Sequence, residues 1–427
     1  MSKVQGLKVT ARTSSFHFKG KDTAIPEIAR QLAVAYVVEG SVRKSGDKVR
    51  ITAQLITAAD GFHVWSDTFT RDLKDSFAGQ DEIAGLIAKN LELKMGMVTA
   101  VPRAVIKPEA YQEYLAGRSL VAIGTTNSAR EAIRHFRRAV ELDPDFTAAW
   151  AQTAQTFVHL SRWGGLLTDA EWNETGRAIE RAVALEPASP DVLLALGWVR
   201  RSADWDWLGA EQAFREALRL RPNHPETLAA LGVLVANLGR EQEAIIMARR
   251  AAELDPLNPG AQMDLLSIFY SYRRFAEAVQ AGRRAVELAP AGQVWHSWLA
   301  MGLAGRHRFP EAEAEARLEP EPFASLAAQI MIAIEQGRMT EARRLTDDFE
   351  QQAKTAGGAW NSYAYLAFLC GHLGEVHKGV DYLELTKKIR DPSIAWARTS
   401  FFADVLHTDP RWPEFLRKVG LADDQLK

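Results

Sequence analysis

From about residue 109 onward, apolar residues recur at the three-to-four-residue spacing of one helical face, interrupted at nearly regular intervals by proline. The regularity is tightest between Asp191 and Pro290. There, three helical runs close on a leucine two residues before a proline: Leu220 before Pro222, Leu254 before Pro256 and Leu288 before Pro290. These prolines stand 34 residues apart. Ala210, Ala244 and Ala278 lie twelve residues before them, and Ala217, Ala251 and Ala285 lie five before. A 34-residue period with small residues at fixed offsets predicts paired antiparallel helices stacked into a solenoid. Two such helices approach closely only where one carries a small side chain. Gly197 and Gly232 in first helices and Ala210, Ala244 and Ala278 in second helices meet that need, while Leu196, Leu231, Leu265, Phe214 and Phe269 fill the space between layers.

Prolines 144, 187, 222, 256 and 290 close five repeats. The surplus between 144 and 187 falls in the polar stretch 161–174, and one extra residue before Pro222 is placed in the turn 204–207. After Pro290 the pattern weakens into three further pairs: 295–303 with 311–317, 325–336 with 340–350, and 359–373 with 376–388. The end, 391–421, is expected to cap the last layer.

Residues 7–95 follow another period. Residues 7–11 alternate as a short strand, and Asp22 caps a predicted helix over 26–33 with Ile25, Ile28, Ala29 and Leu32 on one face. Three strand-like runs follow at 35–43, 48–57 and 62–70, with the hairpin signal Asp60-Gly61 before the last. In the middle run Val49, Ile51, Ala53 and Leu55 face one side and Arg50, Thr52 and Gln54 the other, so a sheet with one covered face is expected. A helix over 76–94 would cover it. Residues 98–108 carry Pro102 and Pro108 without an apolar period and read as a linker between a domain at 1–97 and repeats at 109–427. The expected fold class is mostly α, a superhelical solenoid preceded by a small, incomplete α/β domain.

The repeating unit resembles the tetratricopeptide repeat (TPR), most strongly over 190–290 and in weaker form over about three quarters of the chain. Leu7-Lys-Val-Thr-Ala-Arg-Thr-Ser-Ser15, Val37-Val-Glu-Gly-Ser-Val-Arg43, Val49-Arg-Ile-Thr-Ala-Gln-Leu55, Trp65 and Gln80-Asp-Glu-Ile83 resemble the TolB amino-terminal or FlgO-like α/β domain. That resemblance implies a module set between an effector and carboxy-terminal TPRs in bacterial proteins. The effector is commonly a class III adenylate/guanylate cyclase domain or a CadC-like winged helix. Such relatives place a strand ending in Pro-Phe, then a helix, before the segment matching residues 1–7. Here the resemblance begins mid-domain. A start codon placed too late in a longer gene is expected over a true truncation, because losing a central strand leaves apolar sheet surface and an open edge.

Composition narrows the function classes. The chain has 427 residues, more than one hydrophobic core usually serves, with 47% hydrophobic and 25% charged residues. A formal net charge of −2 gives no electrostatic footprint for nucleic acid. The single cysteine, Cys370, excludes an intramolecular disulfide framework. Residues 1–10 lack the apolar core of a signal peptide and no apolar run is long enough to span a bilayer. Cytoplasmic placement is the default expectation, and periplasmic placement the alternative if the full gene product carries an upstream span.

Catalytic signals are not found. Gly20-Lys21 lacks the upstream glycine and following Ser or Thr of a phosphate loop, and no Gly-x-Ser-x-Gly elbow occurs. His372 and His377 straddle the Gly371–Gly374 turn, so they would not share a helical face as metal ligands and read as surface histidines. Cys370 reads as packed in an apolar helix. Arg137-Arg138, Arg249-Arg250 and Arg283-Arg284 read as a solvated outer face balanced by Glu180, Glu216, Glu253 and Glu287. Trp205, Trp207, Trp295 and Trp298 read as filler between repeats. No catalytic, cofactor-binding or metal-ligating residue is assigned, and the chain is expected not to be an enzyme.

The expected functional surface is the inner groove. Registering the repeats on their final prolines sets Val233 and Asn237 beside Met263, Ser267 and Tyr270 of the next unit. Asn237 and Tyr270 would hydrogen-bond an extended peptide while apolar neighbours receive its side chains. The competing expectation is that the carboxy-terminal units fold back and fill this groove. The leading function is therefore a scaffold binding a peptide or protein. The alternative is the regulatory part of an adenylate/guanylate cyclase or winged-helix regulator whose effector lies outside this chain.

Overall fold

The computed structural model describes residues 9–426 apart from 22, 46–47, 59–62, 73–105, 291 and 293. The predicted helix over 76–94, residues 98–105 of the linker and residues 7–8 of the first predicted strand lie outside the described residues.

Residues 9–11 join no strand of the sheet. Ala11 donates its N–H to the Leu254 carbonyl at 3.2 Å, and the chain turns into a short helix, α1 (Arg12–Phe16). Leu254 ends a solenoid helix, where carbonyls lack intrahelical donors, so residues 9–11 of the expected strand lead into a helix-end contact instead. Helix α2 (Ile25–Leu32) stops at Ala33, which takes a left-handed φ of 51°. Three antiparallel strands follow in the order β1 (Tyr36–Ser45), β2 (Lys48–Thr57) and β3 (His63–Asp72). Val49, Ala53 and Leu55 are buried and Arg50 is exposed, as the alternation predicts. A register shift between Leu55 and Ile56 turns Ile56 inward too, a local break of the two-residue period.

Among the described residues, eight antiparallel helix pairs then stack. The first three are α3 (Pro108–Val121) with α4 (Thr126–Leu142), α5 (Thr147–Arg162) with α6 (Asp169–Leu185), and α7 (Pro190–Val199) with α8 (Trp207–Leu220). Next come α9 (Pro225–Asn237) with α10 (Glu241–Leu254) and α11 (Pro259–Ser271) with α12 (Phe275–Leu288). The last three are α13 (Trp295–Ala304) with α14 (Phe309–Leu318), α15 (Pro322–Glu335) with α16 (Met339–Thr355), and α17 (Ser362–His372) with α18 (Val376–Lys388). The pairing forces are those expected from the small residues. A Cβ on Gly117 would sit 2.6 Å from the Phe136 ring, and one on Gly197 would overlap Phe214. Gly232 lies against the α10 backbone, where a Cβ would meet the Ala244 carbonyl and Ala248 nitrogen at 3.2 Å.

Second helices form the outer face and are bridged by ion pairs from repeat to repeat: Arg137–Glu174 (2.7 Å), Arg283–Glu311 (3.0 Å) and Arg343–Glu375 (2.8 Å). These pairs absorb part of the basic stripe read from the sequence. Each contributes little by itself, roughly 0–1 kcal/mol, because its members remain solvated.

The extra residue before Pro222 is absorbed one turn earlier than expected. Residues 200–204 widen into a π-helical turn (Arg200–Asp204) at the end of α7, and Trp205 closes it with a left-handed φ of 52°.

The segment after α18 does more than cap the last layer. Through two short helical turns (Pro392–Trp396 and Asp404–Thr408) and α19 (Trp412–Lys418) it runs back along the carboxy-terminal ends of α7, α9 and α11. Its apolar residues Ile394, Phe401, Phe402, Leu406 and Phe415 belong to the same continuous core as the repeats. No helix among the described residues is long and apolar enough to cross a membrane.

Candidate partner-binding face

Helix carboxy-termini expose carbonyls with no intrahelical partner, at the negative end of the helix dipole. The returning segment supplies donors to them. Arg398 Nη1 reaches the Leu238 carbonyl at 2.7 Å and Thr399 Oγ1 the Ala236 carbonyl at 2.9 Å, both at the end of α9. The Phe401 N–H reaches the Ser271 carbonyl at the end of α11, at 3.3 Å. Aromatic packing completes the closure: the Phe401 and Phe402 rings each lie 4.9 Å from Tyr270, and Phe402 also meets Trp298 and Phe368.

This closure decides where the expected groove residues sit. Tyr270 is only 2% exposed, enclosed by Phe275, Trp298, Phe401 and Phe402. Burial raises its hydroxyl pKa well above the ordinary tyrosine value. Asn237 is buried, its Oδ1 accepting from Arg201 Nη2 at 3.1 Å, and Val233 is buried beside it. Met263 and Ser267 keep part of their surface, one or two turns toward the amino-terminal end of α11. Ser267 Oγ donates to the carbonyl of Asp264 in its own helix at 2.9 Å. Asn237 and Tyr270 thus hold repeats and returning segment together, whereas Met263 and Ser267 stay partly exposed, Met263 packing in part against the core.

Residues not singled out from the sequence gather where α5, α7 and α11 come together. The Arg162 guanidinium, from the end of α5, stacks 4.3 Å over the Trp198 ring of α7, and Arg201 approaches the same ring at 5.5 Å. Arg201 is 4% exposed and its charged form is disfavoured by burial, then by neighbouring Arg162, so its pKa falls to about 9. Asp264 of α11 feels both arginines, yet burial dominates and raises its carboxyl to about 6. His159 is pushed down to about 3 by burial and then by Arg162. Among the described residues, neither the Arg162 guanidinium nor the Asp264 carboxylate makes a hydrogen bond or an ion pair, and Trp198 Nε1, Arg201 Nε and Ser202 Oγ are buried without a partner. One signal was legible: Arg200-Arg201 ends a first helix that is otherwise apolar, unlike the arginine pairs on second helices.

The histidine pair singled out by spacing is divided. His372 is surrounded by Phe401 and Phe402, while the exposed His377 pairs with Asp409 at 2.8 Å. Cys370 is fully buried, which raises its thiol to about 12.

Comparison with known proteins matches this architecture. Residues 206–259 and 247–292 match the family model described as "Tetratricopeptide repeat", so the chain carries TPRs within a TPR-like solenoid. A curated relative, "Putative adenylate cyclase 3" of Rhizobium meliloti (strain 1021), is 36% identical over 210 residues, covering 47% of this chain and 36% of the relative. The chain therefore spans about a third of that protein's length. Among solved structures, a thermophilic TPR protein of Thermus thermophilus aligns at 20% identity with a TM-score of 0.37, covering 48% of this chain and 98% of that one. Pseudomonas aeruginosa pilF aligns at 19% identity and a TM-score of 0.37, covering 52% and 96% respectively.

Proposed function

We propose that this chain is a non-enzymatic interaction scaffold that takes a peptide or protein segment on the open part of its inner face, around Met263 and Ser267. One observation carries this reading: the adjoining stretch of the same face holds a largely irregular segment of the chain itself. That segment is fixed by donors to helix-end carbonyls and by aromatic side chains packed between helices. A surface with these acceptors and apolar gaps suits a partner's extended segment for the same reasons. Val233, Asn237 and Tyr270 support it from below.

The test is a peptide selected from a random library against the folded chain. Met263→Glu is expected to weaken its binding by about tenfold or more, as loss of an interface anchor does, while the melting temperature stays within about 2 °C. Unchanged binding rejects the reading.

Residues 1–97 are read as a partial TolB-like module, joined by the linker 98–108 to the repeats at 109–427. Its described part docks on the turn between α10 and α11, where Ser14 N–H donates to Asp255 Oδ1 at 3.1 Å and Leu257 N–H donates to Ser14 Oγ at 2.9 Å. Its docking at a repeat boundary is the contact through which such a module would relay a change in the solenoid. The named relative favours a second reading, in which the chain is the regulatory part of a nucleotide cyclase. A cyclase catalytic domain encoded in frame before Met1 supports it, and an in-frame stop codon there removes it.

A further inference from the structure

Every residue of β1 from Val38 to Arg43 is exposed, although β1 belongs to a sheet with one buried face. Val38, Gly40 and Val42 pair with Leu55, Ala53 and Ile51 of β2, so they continue the side on which Ala53 and Leu55 are buried. There the cover ends: Val38 is 39% and Val42 70% exposed. On β3, the other edge, Val64 and Trp65 are partly covered and Phe69 is buried. Among the described residues β1 has a strand partner on one side only. It carries neither a proline nor a break in its register with β2, two devices that commonly blunt a free edge.

The ladder fixes which groups this edge offers. The Ala58 N–H donates to the Ala35 carbonyl at 2.9 Å, and the register runs unbroken from Tyr36 and Thr57 to Ser45 and Lys48. Bonded and non-bonded pairs alternate along an antiparallel ladder. Odd-numbered residues of β1 therefore bond β2, while Val38, Gly40, Val42 and Lys44 turn their N–H and carbonyl groups outward. A Cβ on Gly40 would meet the Thr52 carbonyl at 2.6 Å, so the approach of β2 requires glycine and leaves a gap in the apolar stripe.

We propose that β1 is a dimerisation edge, pairing antiparallel with β1 of a second copy of this chain about a two-fold axis at Ser41. In that register the outward groups of Gly40 meet those of Val42, and the outward groups of Val38 meet those of Lys44, so the bonding edges match. Val42 of each copy covers the gap at Gly40 of the other, and the apolar stripe becomes continuous across both sheets. On the opposite face Glu39 stands directly across from Arg43 of the other copy, and the symmetry repeats the pair. Neither side chain has an ion-pair partner among the described residues. An axis at Gly40 or at Val42 loses both charge pairs. A strand of unrelated sequence matches the backbone alone, whereas a second copy also matches the charges and fills the glycine gap. The inference is independent of the peptide-binding reading.

The experiment is sedimentation velocity of the full chain at low ionic strength, and a concentration-dependent dimer is expected between about 1 and about 100 µM. Glu39→Arg or Arg43→Glu alone replaces two attractive pairs by two repulsive ones and is expected to weaken association by about tenfold. Glu39→Arg and Arg43→Glu in the same chain restore the pairs with their signs exchanged, and association returns to within about threefold of the original. Both positions are exposed, so the fold tolerates each change. A second readout locates the axis. Ser41→Cys is expected to form an intermolecular disulfide under mild oxidation, because opposed Cα atoms of a non-hydrogen-bonded pair stand about 4.5 Å apart. Thr68→Cys, exposed on β3, is the control and stays unlinked. The native Cys370 is fully buried and does not compete. A chain that is monomeric up to about 100 µM overturns the proposal and leaves the edge to another occupant. So does a dimer that neither charge reversal weakens, one that the paired reversal fails to restore, or one that Thr68→Cys links as readily as Ser41→Cys.

Discussion

The indole Nε1 of Trp207 donates a 2.7 Å hydrogen bond to the carbonyl of Val419, 212 residues further along the chain. Trp207 begins the second helix of the third repeat, and Val419 follows the last helix. This bond joins the two ends of a path that a simple solenoid would leave far apart, since repeats in such folds contact only their neighbours. Trp207→Phe keeps most of the buried ring but leaves the Val419 carbonyl without this donor. A loss of about 1–3 kcal/mol in stability is expected, the cost of an unsatisfied buried group, read from urea unfolding.

The glycines of the helix pairs make a contrasted prediction. Gly197 and Gly176 both lie inside helices, but only the first has a neighbour where a Cβ would go. Phe214 beside it is fully buried and cannot swing aside. Gly197→Val is expected to destabilise by roughly 2 kcal/mol or more through overpacking, whereas Gly176→Ala stabilises by about 0.5–1 kcal/mol through helix propensity. Denaturant midpoints of the two variants check both signs.

Protonation of His372 is expected to work against the closure. Burial first, and then Arg273, lowers its pKa to about 4 against an ordinary 6.5, with nearby Asp404 acting in the opposite direction. Between these values the unfolded chain binds a proton that the folded chain does not, so the stabilising contribution is complete above pH 6.5 and is lost as pH falls toward 4. The stability difference between the native chain and His372→Gln, measured from pH 7 to pH 4.5, should therefore shrink as the pH is lowered. A difference independent of pH would contradict the buried neutral imidazole.

Much of this architecture is legible in the chain, for identifiable reasons. The 34-residue proline spacing and the small residues Gly197, Gly232 and Ala244 encode local helix pairing, which depends only on neighbours. The hairpin alternation at Val49, Ala53 and Leu55 is local in the same way. The fate of the inner face was less accessible because its cover comes from residues far along the chain, 160 and 163 positions away for the Arg398 and Thr399 contacts. A clue was nevertheless present. The α9 sequence Leu228-Ala-Ala-Leu-Gly-Val-Leu-Val-Ala236 has no polar stripe, and a helix apolar all round must be buried on every side. An open groove requires a polar or partly polar inner face; α9 has none, and α13 and α17 are similar. Asn237 read alone looked like a groove residue, but its partner Arg201 lies in the preceding repeat, beyond what registering α9 on α11 brings into view. The π-helical turn was legible only as one surplus residue, since spacing counts an insertion without saying which turn absorbs it.

The central claim is that the carboxy-terminal segment occupies the inner face over α9 and α11 as part of the core. Hydrogen–deuterium exchange of peptides covering residues 398–403, where Phe401 N–H bonds the Ser271 carbonyl, tests it most directly. The account predicts slow exchange at these amides, protected to nearly the same free energy as the central helix α9 and lost in the same cooperative transition. Exchange at the rate of an unstructured tail, with α9 still protected, would contradict it.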